Sequence, residues 1–202
     1  MIASIFHLSR TELAKIRKRN KYVFDDYTVH KLIYSLFPKK GDESRSFLFS
    51  DEGYDAFWGK RFLIVSEDQP EIPEVGSIES KQIPQSFLEQ DCYGFTVQVN
   101  PVKRDIKTRS IIPIKGRDEL CDWFYQKANS YGFEIEQDSL SVGDTSVMQF
   151  IKDGQKMTFG KAVFTGRLHV TDRQLFIKSF RNGIGKSKAF GFGLLKIIPL
   201  SK

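Results

Sequence analysis

The chain has 202 residues with 31 Lys+Arg against 25 Asp+Glu, a net charge of +6, 40% hydrophobic residues and two cysteines. That length holds one large domain or two small ones with cores of their own, and no apolar run approaches the ~18 residues a membrane span requires. Cys92 and Cys121 are too few for a disulfide scaffold and lack CxxC spacing, and MIASIFHLSR has no secretory-signal pattern, so a cytoplasmic location is expected.

In chain order, Ile2–Leu8 reads as a strand, and Thr11–Lys21 as a polar, strongly basic connection carrying Arg17, Lys18, Arg19 and Lys21. Asp25 or Asp26 can cap a helix from Tyr27 to about Phe37, which Pro38 helps to stop. Short strands follow at Ser46–Ser50 and Arg61–Ser66. Glu67–Gln90 is acidic and holds Pro70, Pro73 and Pro84, so it reads as loop plus a poor edge strand between domains.

The second half is more regular. Gly94–Val99 alternates as a strand, Asp118–Tyr131 has Leu120, Trp123, Phe124, Ala128 and Tyr131 at helical spacing, and Gly132 follows as a cap. Strands are expected at Phe133–Glu136, Ser146–Ile151 and Lys161–Val170. A short helix capped by Thr171 or Asp172 then ends at Asn182-Gly183, and Phe192–Pro199 closes the chain as a strand. The order β-α-β-β-α-β is ferredoxin-like, and the first half is a less complete β-α-β-β copy. The expected fold is α+β: two tandem ferredoxin-like (RRM-like) domains, 1–88 and 89–202, the first less regular.

Charge is segregated along the chain. Residues 1–40 hold nine basic and three acidic side chains, 41–95 four and twelve, 96–151 seven and eight, and 152–202 eleven and two. Basic ends that fold together make a cationic surface for a polyanion, with nucleic acid the commonest such partner, whereas the acidic 41–95 is expected to face away from it. An ordinary basic protein with charged loops fits the charge equally well.

The helix near residue 30 has a chemical face. At 100° per residue from Tyr27, Val29, Leu32, Ile33, Leu36 and Phe37 span about 140° to 280°, the buried arc. Tyr27, His30, Lys31 and Tyr34 lie between about 300° and 40°, turned away from the core. A neutral histidine can take a proton from a hydroxyl, a tyrosine can orient a phosphate oxygen, and a lysine can offset charge on phosphorus. That set suits RNA cleavage by the 2′-hydroxyl; the alternative is an exposed face that merely carries His and Tyr. His7 and His169 read as ordinary packed or surface histidines. HExxH, Cys/His clusters and acidic metal-ligand sets do not occur, so no metal or cofactor is expected.

Between the last helix and strand lies Gly183-Ile184-Gly185-Lys186-Ser187-Lys188-Ala189-Phe190-Gly191-Phe192-Gly193. A P-loop would need glycine where Phe180 stands, and a dinucleotide fingerprint would need it at Lys188. Backbone amides with Lys186, Ser187 and Lys188 could approach phosphates, or the glycines could simply build a turn.

This loop resembles the glycine-rich signature of the CRISPR repeat-cleaving endoribonucleases, in the CasE branch of type I-E systems within the RAMP superfamily: GIGxxKxxGxGLL before the final strand. Gly183, Ile184, Gly185, Lys188, Gly191, Gly193, Leu194 and Leu195 stand at its fixed positions. Tyr27, His30, Phe37 and Pro38 are similar to that family's catalytic helix, and Asn100-Pro101-Val102-Lys103 with Ile112-Pro113-Ile114 to the segment forming its basic hairpin. The resemblance implies binding of a CRISPR repeat stem-loop and metal-free cleavage at the 3′ base of the stem, leaving a 2′,3′-cyclic phosphate and a 5′-hydroxyl. His30 would be the general base, Tyr27 a positioning group and Lys31 a counter-charge. RNA contacts would come from Lys103, Arg104, Lys107 and Arg109 of the hairpin and from Gly183, Gly185, Lys186, Ser187, Lys188, Gly191 and Gly193 of the loop. The implied chain is a monomer when isolated, makes no membrane contact, and stays on the guide RNA among the other subunits of the type I-E surveillance complex. The competing reading is a non-catalytic RNA-hairpin-binding module of RRM-like fold; a small-molecule phosphate enzyme using the glycine loop is disfavoured by the missing nucleotide motifs.

Overall fold

The computed structural model describes residues 1–19, 24–38, 45–152 and 154–200. It divides into two compact units: residues 1–83 with 149–157 and 189–191, and residues 84–148 with 158–188 and 192–202.

The first unit is built on four strands, β1 (Ile2–Leu8), β2 (Phe47–Asp55), β3 (Gly59–Ser66) and β4 (Ser77–Gln82), which pair antiparallel in the order β2-β3-β1-β4. Strand β1 alternates buried and more exposed positions, as a half-buried strand must. Two helices, α1 (Arg10–Arg19) and α2 (Asp26–Ser35), lie between β1 and β2. Their Leu13, Ile16, Val29 and Ile33 join Phe6, Leu8, Phe47, Phe49, Phe62 and Ile64 in one core. The ferredoxin-like strand order is present, but an irregular run stands where a second helix would connect β3 to β4, which accounts for the weaker pattern of this half.

The expected basic connection at Thr11–Lys21 is instead helical as far as Arg19, with Lys21 outside the described residues. Ser9 and Glu12 form a capping box: the Ser9 N–H and hydroxyl both donate to Glu12 Oε2, and the Glu12 N–H donates to Ser9 Oγ. Glu12 Oε1 also accepts the Gly76 N–H at 3.0 Å, tying the helix start to the loop before β4. Only Leu13 and Ile16 are buried, so the apolar stripe is one pair wide and easily lost among the charges.

The second unit opens with β5 (Cys92–Val99), followed by β6 (Val102–Arg104) and β7 (Ile111–Pro113), which pair with each other as a small two-stranded sheet. Then come α3 (Arg117–Ala128), β8 (Phe133–Ile135), β9 (Ser141–Lys152), β10 (Gln155–Val170), α4 (Arg173–Asn182) and β11 (Leu195–Pro199). The main sheet order β11-β5-β10-β8 is the ferredoxin-like arrangement, with β9 added as a hairpin on β10. The far ends of that hairpin, 149–157, group with the first unit.

Phe95, Phe124 and Phe164 stack in the core with centroids 5.7 and 4.4 Å apart, and Tyr93 stacks on Phe176 at 5.3 Å. Gly132 (φ +83) is required where α3 turns into β8: a Cβ there would sit 2.5 Å from the Asp172 carbonyl oxygen. The last strand starts at Leu195, three residues later than expected. Gly191 and Gly193 adopt positive φ; the Gly193 N–H donates to Gln98 of β5 at 2.7 Å while its carbonyl accepts from Ile184 within the loop, so the regular ladder begins only at Leu195. Among the described residues, no helix is long and apolar enough to cross a membrane.

Candidate active site

Helix α2 begins at Asp25, whose carboxylate accepts the Thr28 N–H and hydroxyl, both at 2.8 Å. It ends where Leu36 and Phe37 donate to Ile33 and Tyr34, just before Pro38. Val29, Ile33 and Leu36 are buried, and burial of a side chain such as Ile33 stabilises this orientation by about 1.5–3 kcal/mol. That fixes which face carries Tyr27, His30, Lys31 and Tyr34.

This face is not open to water as its helical phase suggests. His30 and Tyr34 are half-buried, and Lys31 is the exposed member. The imidazole lies between Tyr34, 4.0 Å away by centroid, and Phe190, at 5.0 Å, with Tyr27 stacked at 5.9 Å. Phe150 stacks on Tyr27 at 6.2 Å and packs on Phe190 at 4.7 Å, so two rings from the later part of the chain cover the stripe. Lys31 Nζ sits 4.3 Å from the Tyr27 ring centre, a cation-π contact that holds the ammonium beside the phenol.

One hydrogen bond sets the chemistry. His30 Nδ1 donates to the Ala189 carbonyl at 2.8 Å, which fixes the proton on Nδ1 and leaves the Nε2 lone pair to accept another. Burial holds this imidazole below the ordinary histidine pKa, and the positive charges of Lys152, Arg45 and Lys31 act in the same direction; the Ala189 bond opposes them in part. The group is therefore neutral near pH 7 and available as a base.

Of the glycine-loop residues, Gly183, Gly191 and Gly193 are buried. A Cβ at Gly193 would lie 2.2 Å from the Ile184 carbonyl oxygen, and one at Gly191 would lie 3.0 Å from the Phe49 ring, so these two glycines permit close packing. Gly185 donates to the Tyr131 hydroxyl at 3.1 Å, and Lys188 reaches back to the Gly183 carbonyl at 3.3 Å. Lys186 is exposed, and Ser187 (φ +60) accepts from the Asn100 amide at 2.9 Å. Lys186 and Ser187 border a cavity of about 540 Å³ with Lys115, Lys161, Val102 and Ile111, which joins the loop to the base of the β6–β7 hairpin.

In that hairpin Arg104, Lys107 and Arg109 are exposed. Asp105 Oδ1 organises the turn by accepting the N–H groups of Lys107 and Thr108 and the Thr108 hydroxyl. Lys103 is paired with Glu119 instead of standing free. Beside Tyr27 and Lys31, a second cavity of about 890 Å³ is lined by Lys15 and Arg19 of α1 together with Asp25 and Glu71. Among the described residues, no group of three or more His, Cys, Asp or Glu could hold a metal ion.

Sequence reasoning missed Ala189, Phe150, Phe190 and Lys152. The first acts through its backbone, which leaves no residue signature; Phe150 lies within an expected strand and Phe190 within the glycine-rich loop, with nothing to single either out; Lys152 reads as one charge in a basic tail.

The family model for CRISPR associated protein matches residues 6–199, almost the whole chain. The chain belongs to this CRISPR-associated family. It is 25% identical over 206 residues to the CRISPR system Cascade subunit CasE of Escherichia coli, covering 96% of this chain and 100% of that one. It is 28% identical over 115 residues to the CRISPR-associated endoribonuclease Cse3 of Thermus thermophilus, covering 52% and 54% of the two chains. The structure of Thermus thermophilus Cse3 bound to an RNA representing a pre-cleavage complex superposes with TM-score 0.83 at 19% identity, over 98% of both chains, a likeness of fold.

Proposed function

We propose that this member of the family is a metal-independent endoribonuclease that cuts CRISPR precursor RNA at the 3′ base of the repeat stem-loop and stays on the guide RNA as a cytoplasmic surveillance-complex subunit. The observation that carries the reading is the Nδ1-fixed, neutral His30 beside Tyr27 and Lys31. Names of similar proteins, the Cascade subunit CasE and the endoribonuclease Cse3, support the substrate class and the assembly.

His30 Nε2 takes the proton of the 2′-hydroxyl as O2′ attacks the adjacent phosphorus. The P–O5′ bond breaks, the 5′ oxygen takes a proton from water, His30 returns its proton to solvent, and the products are a 2′,3′-cyclic phosphate and a 5′-hydroxyl. Lys31 offsets the extra negative charge on the phosphorane oxygens, while Tyr27 holds that ammonium and orients the phosphate. The 2′-hydroxyl is the nucleophile, so the step needs no metal-activated water. Arg104, Lys107 and Arg109 of the hairpin, with Lys103 at its edge, grip the stem, and Lys186 with Ser187 extends that cationic surface. Gly183, Gly185, Lys188, Gly191 and Gly193 hold the loop in the shape that presents these groups.

The test is incubation of the chain with an end-labelled repeat hairpin in excess EDTA. Cleavage at one site with a cyclic-phosphate end is expected; loss of cleavage under EDTA, or a linear 5′-phosphate product, would refute the mechanism.

A further inference from the structure

The turn joining β2 to β3 holds three aromatic side chains out into water: Tyr54 is 59% exposed, Phe57 90% and Trp58 66%. Three large aromatic side chains exposed within five residues are apolar surface of the kind that monomeric proteins seldom leave uncovered.

The turn is also firmly built. Asp55 Oδ1 accepts the N–H groups of Phe57 at 2.8 Å and Trp58 at 3.0 Å, and Asp51 Oδ1 accepts that of Gly53 at 2.9 Å. His7 Nε2 on β1 donates to the Trp58 carbonyl. Gly59 (φ +87) lies against the end of β1 so closely that a Cβ would come within 2.2 Å of the Leu8 carbonyl oxygen. A shift in β2–β3 register between Asp51 and Tyr54 adds local twist to the tip. Rings held on an ordered turn lose little further entropy on contact, which favours binding.

Charge selects the kind of partner. Asp51, Glu52 and Asp55 share this segment with the rings, within the stretch 41–95 that carries twelve acidic and four basic side chains. Asp51 is paired with Lys60 at 2.7 Å and Arg61 acts on Asp55, so residues 51–61 carry three acidic and two basic side chains and stay net negative. The net negative charge of this stretch disfavours phosphates and favours a protein pocket rimmed by Lys and Arg.

We propose that the Tyr54–Trp58 turn is a protein-docking tip that seats Phe57 and Trp58 in an apolar, basic-rimmed pocket of another subunit of the RNA-guided complex. The proposal rests on the chain's reading as a complex subunit and adds where it attaches. Large aromatic anchors such as Trp58 and Tyr54 are the residue types that dominate interface hot spots.

The test is reconstitution with the co-encoded complex subunits and guide RNA, followed by native mass spectrometry over a concentration series. Wild type is compared with Phe57→Ser/Trp58→Ser and with Glu52→Lys; repeat-RNA affinity and single-turnover cleavage are measured on each free chain. The double variant is expected to need about tenfold or more higher concentration for half incorporation. Glu52→Lys should shift in the same direction by less, with RNA affinity and cleavage unchanged for both. Unaltered incorporation of the double variant overturns the proposal. So does a matching loss of RNA affinity, which would assign the rings to base stacking, or a wild-type homodimer that the double variant abolishes. A wild-type chain that cleaves RNA yet never joins the complex overturns the subunit reading and the proposal together.

Discussion

His30 donates through Nδ1 to the carbonyl of Ala189 at 2.8 Å, a bond joining residues 159 positions apart. Helix α2 supplies the base, and the glycine-rich loop supplies the acceptor that fixes its tautomer. Phe190 follows Ala189 and stacks on the same imidazole, so one short segment both orients and covers the ring.

That arrangement sets a pH dependence. Burial and the neighbouring cations lower the His30 pKa, and only the neutral form can accept the proton of the 2′-hydroxyl. The single-turnover cleavage rate should therefore be on its plateau at pH 7 and fall as acid protonates the ring below the ordinary histidine value near 6.5. A rate still climbing with pH above neutrality would assign the titrating group elsewhere.

The loop should be sensitive to small changes next to Phe190. Gly191 has φ +82, and a Cβ there meets the Phe49 ring at 3.0 Å, so Gly191→Ala forces either the backbone or that ring to move. Displacing the Ala189 carbonyl from Nδ1 should slow single-turnover cleavage by on the order of 10²-fold, with repeat-RNA affinity retained. Equal losses of rate and affinity would point to general disruption of the loop.

The capping box on α1 gives a stability prediction. Glu12→Ala removes the two bonds its carboxylate accepts from Ser9 and the one from Gly76 and should cost about 1 kcal/mol in chemical denaturation. The Ser9 hydroxyl bond is the largest cause of the lowered Glu12 pKa. A carboxylate with a depressed folded-state pKa stabilises the fold above its unfolded value and loses that contribution as pH falls through the folded value. The difference between wild type and Glu12→Ala should thus shrink in acid.

The hairpin cations should differ among themselves. Arg104, Lys107 and Arg109 are exposed, while Lys103 is engaged by Glu119. Replacing any one of the first three with Ala should lower the slope of log affinity against log salt by about one for each phosphate left without its cation. Lys103→Ala should change that slope less, because its ammonium is held by Glu119 and not by a phosphate; filter binding across a salt series measures both.

Much of this is legible in residue order. Asp25 as a cap, Val29 and Ile33 as the buried stripe, and Gly132 and Gly183 as helix stops are local signals, and the structure places each where its spacing implies. Helix α1 is hidden because Leu13 and Ile16 are two apolar positions among charges, although Ser9 and Glu12 stand at capping-box spacing. The cover over His30 is not legible. It depends on a backbone carbonyl and on phenylalanines brought in from over a hundred residues away, and no periodicity encodes that juxtaposition.

The most direct measurement is single-turnover cleavage of the labelled repeat hairpin by His30→Ala, in EDTA, with RNA affinity determined in parallel. A general base of this kind contributes about 10²–10⁴-fold, so a rate lower by that factor with affinity within about twofold of wild type is expected. Cleavage by His30→Ala at the wild-type rate would contradict the assignment of His30 as the base.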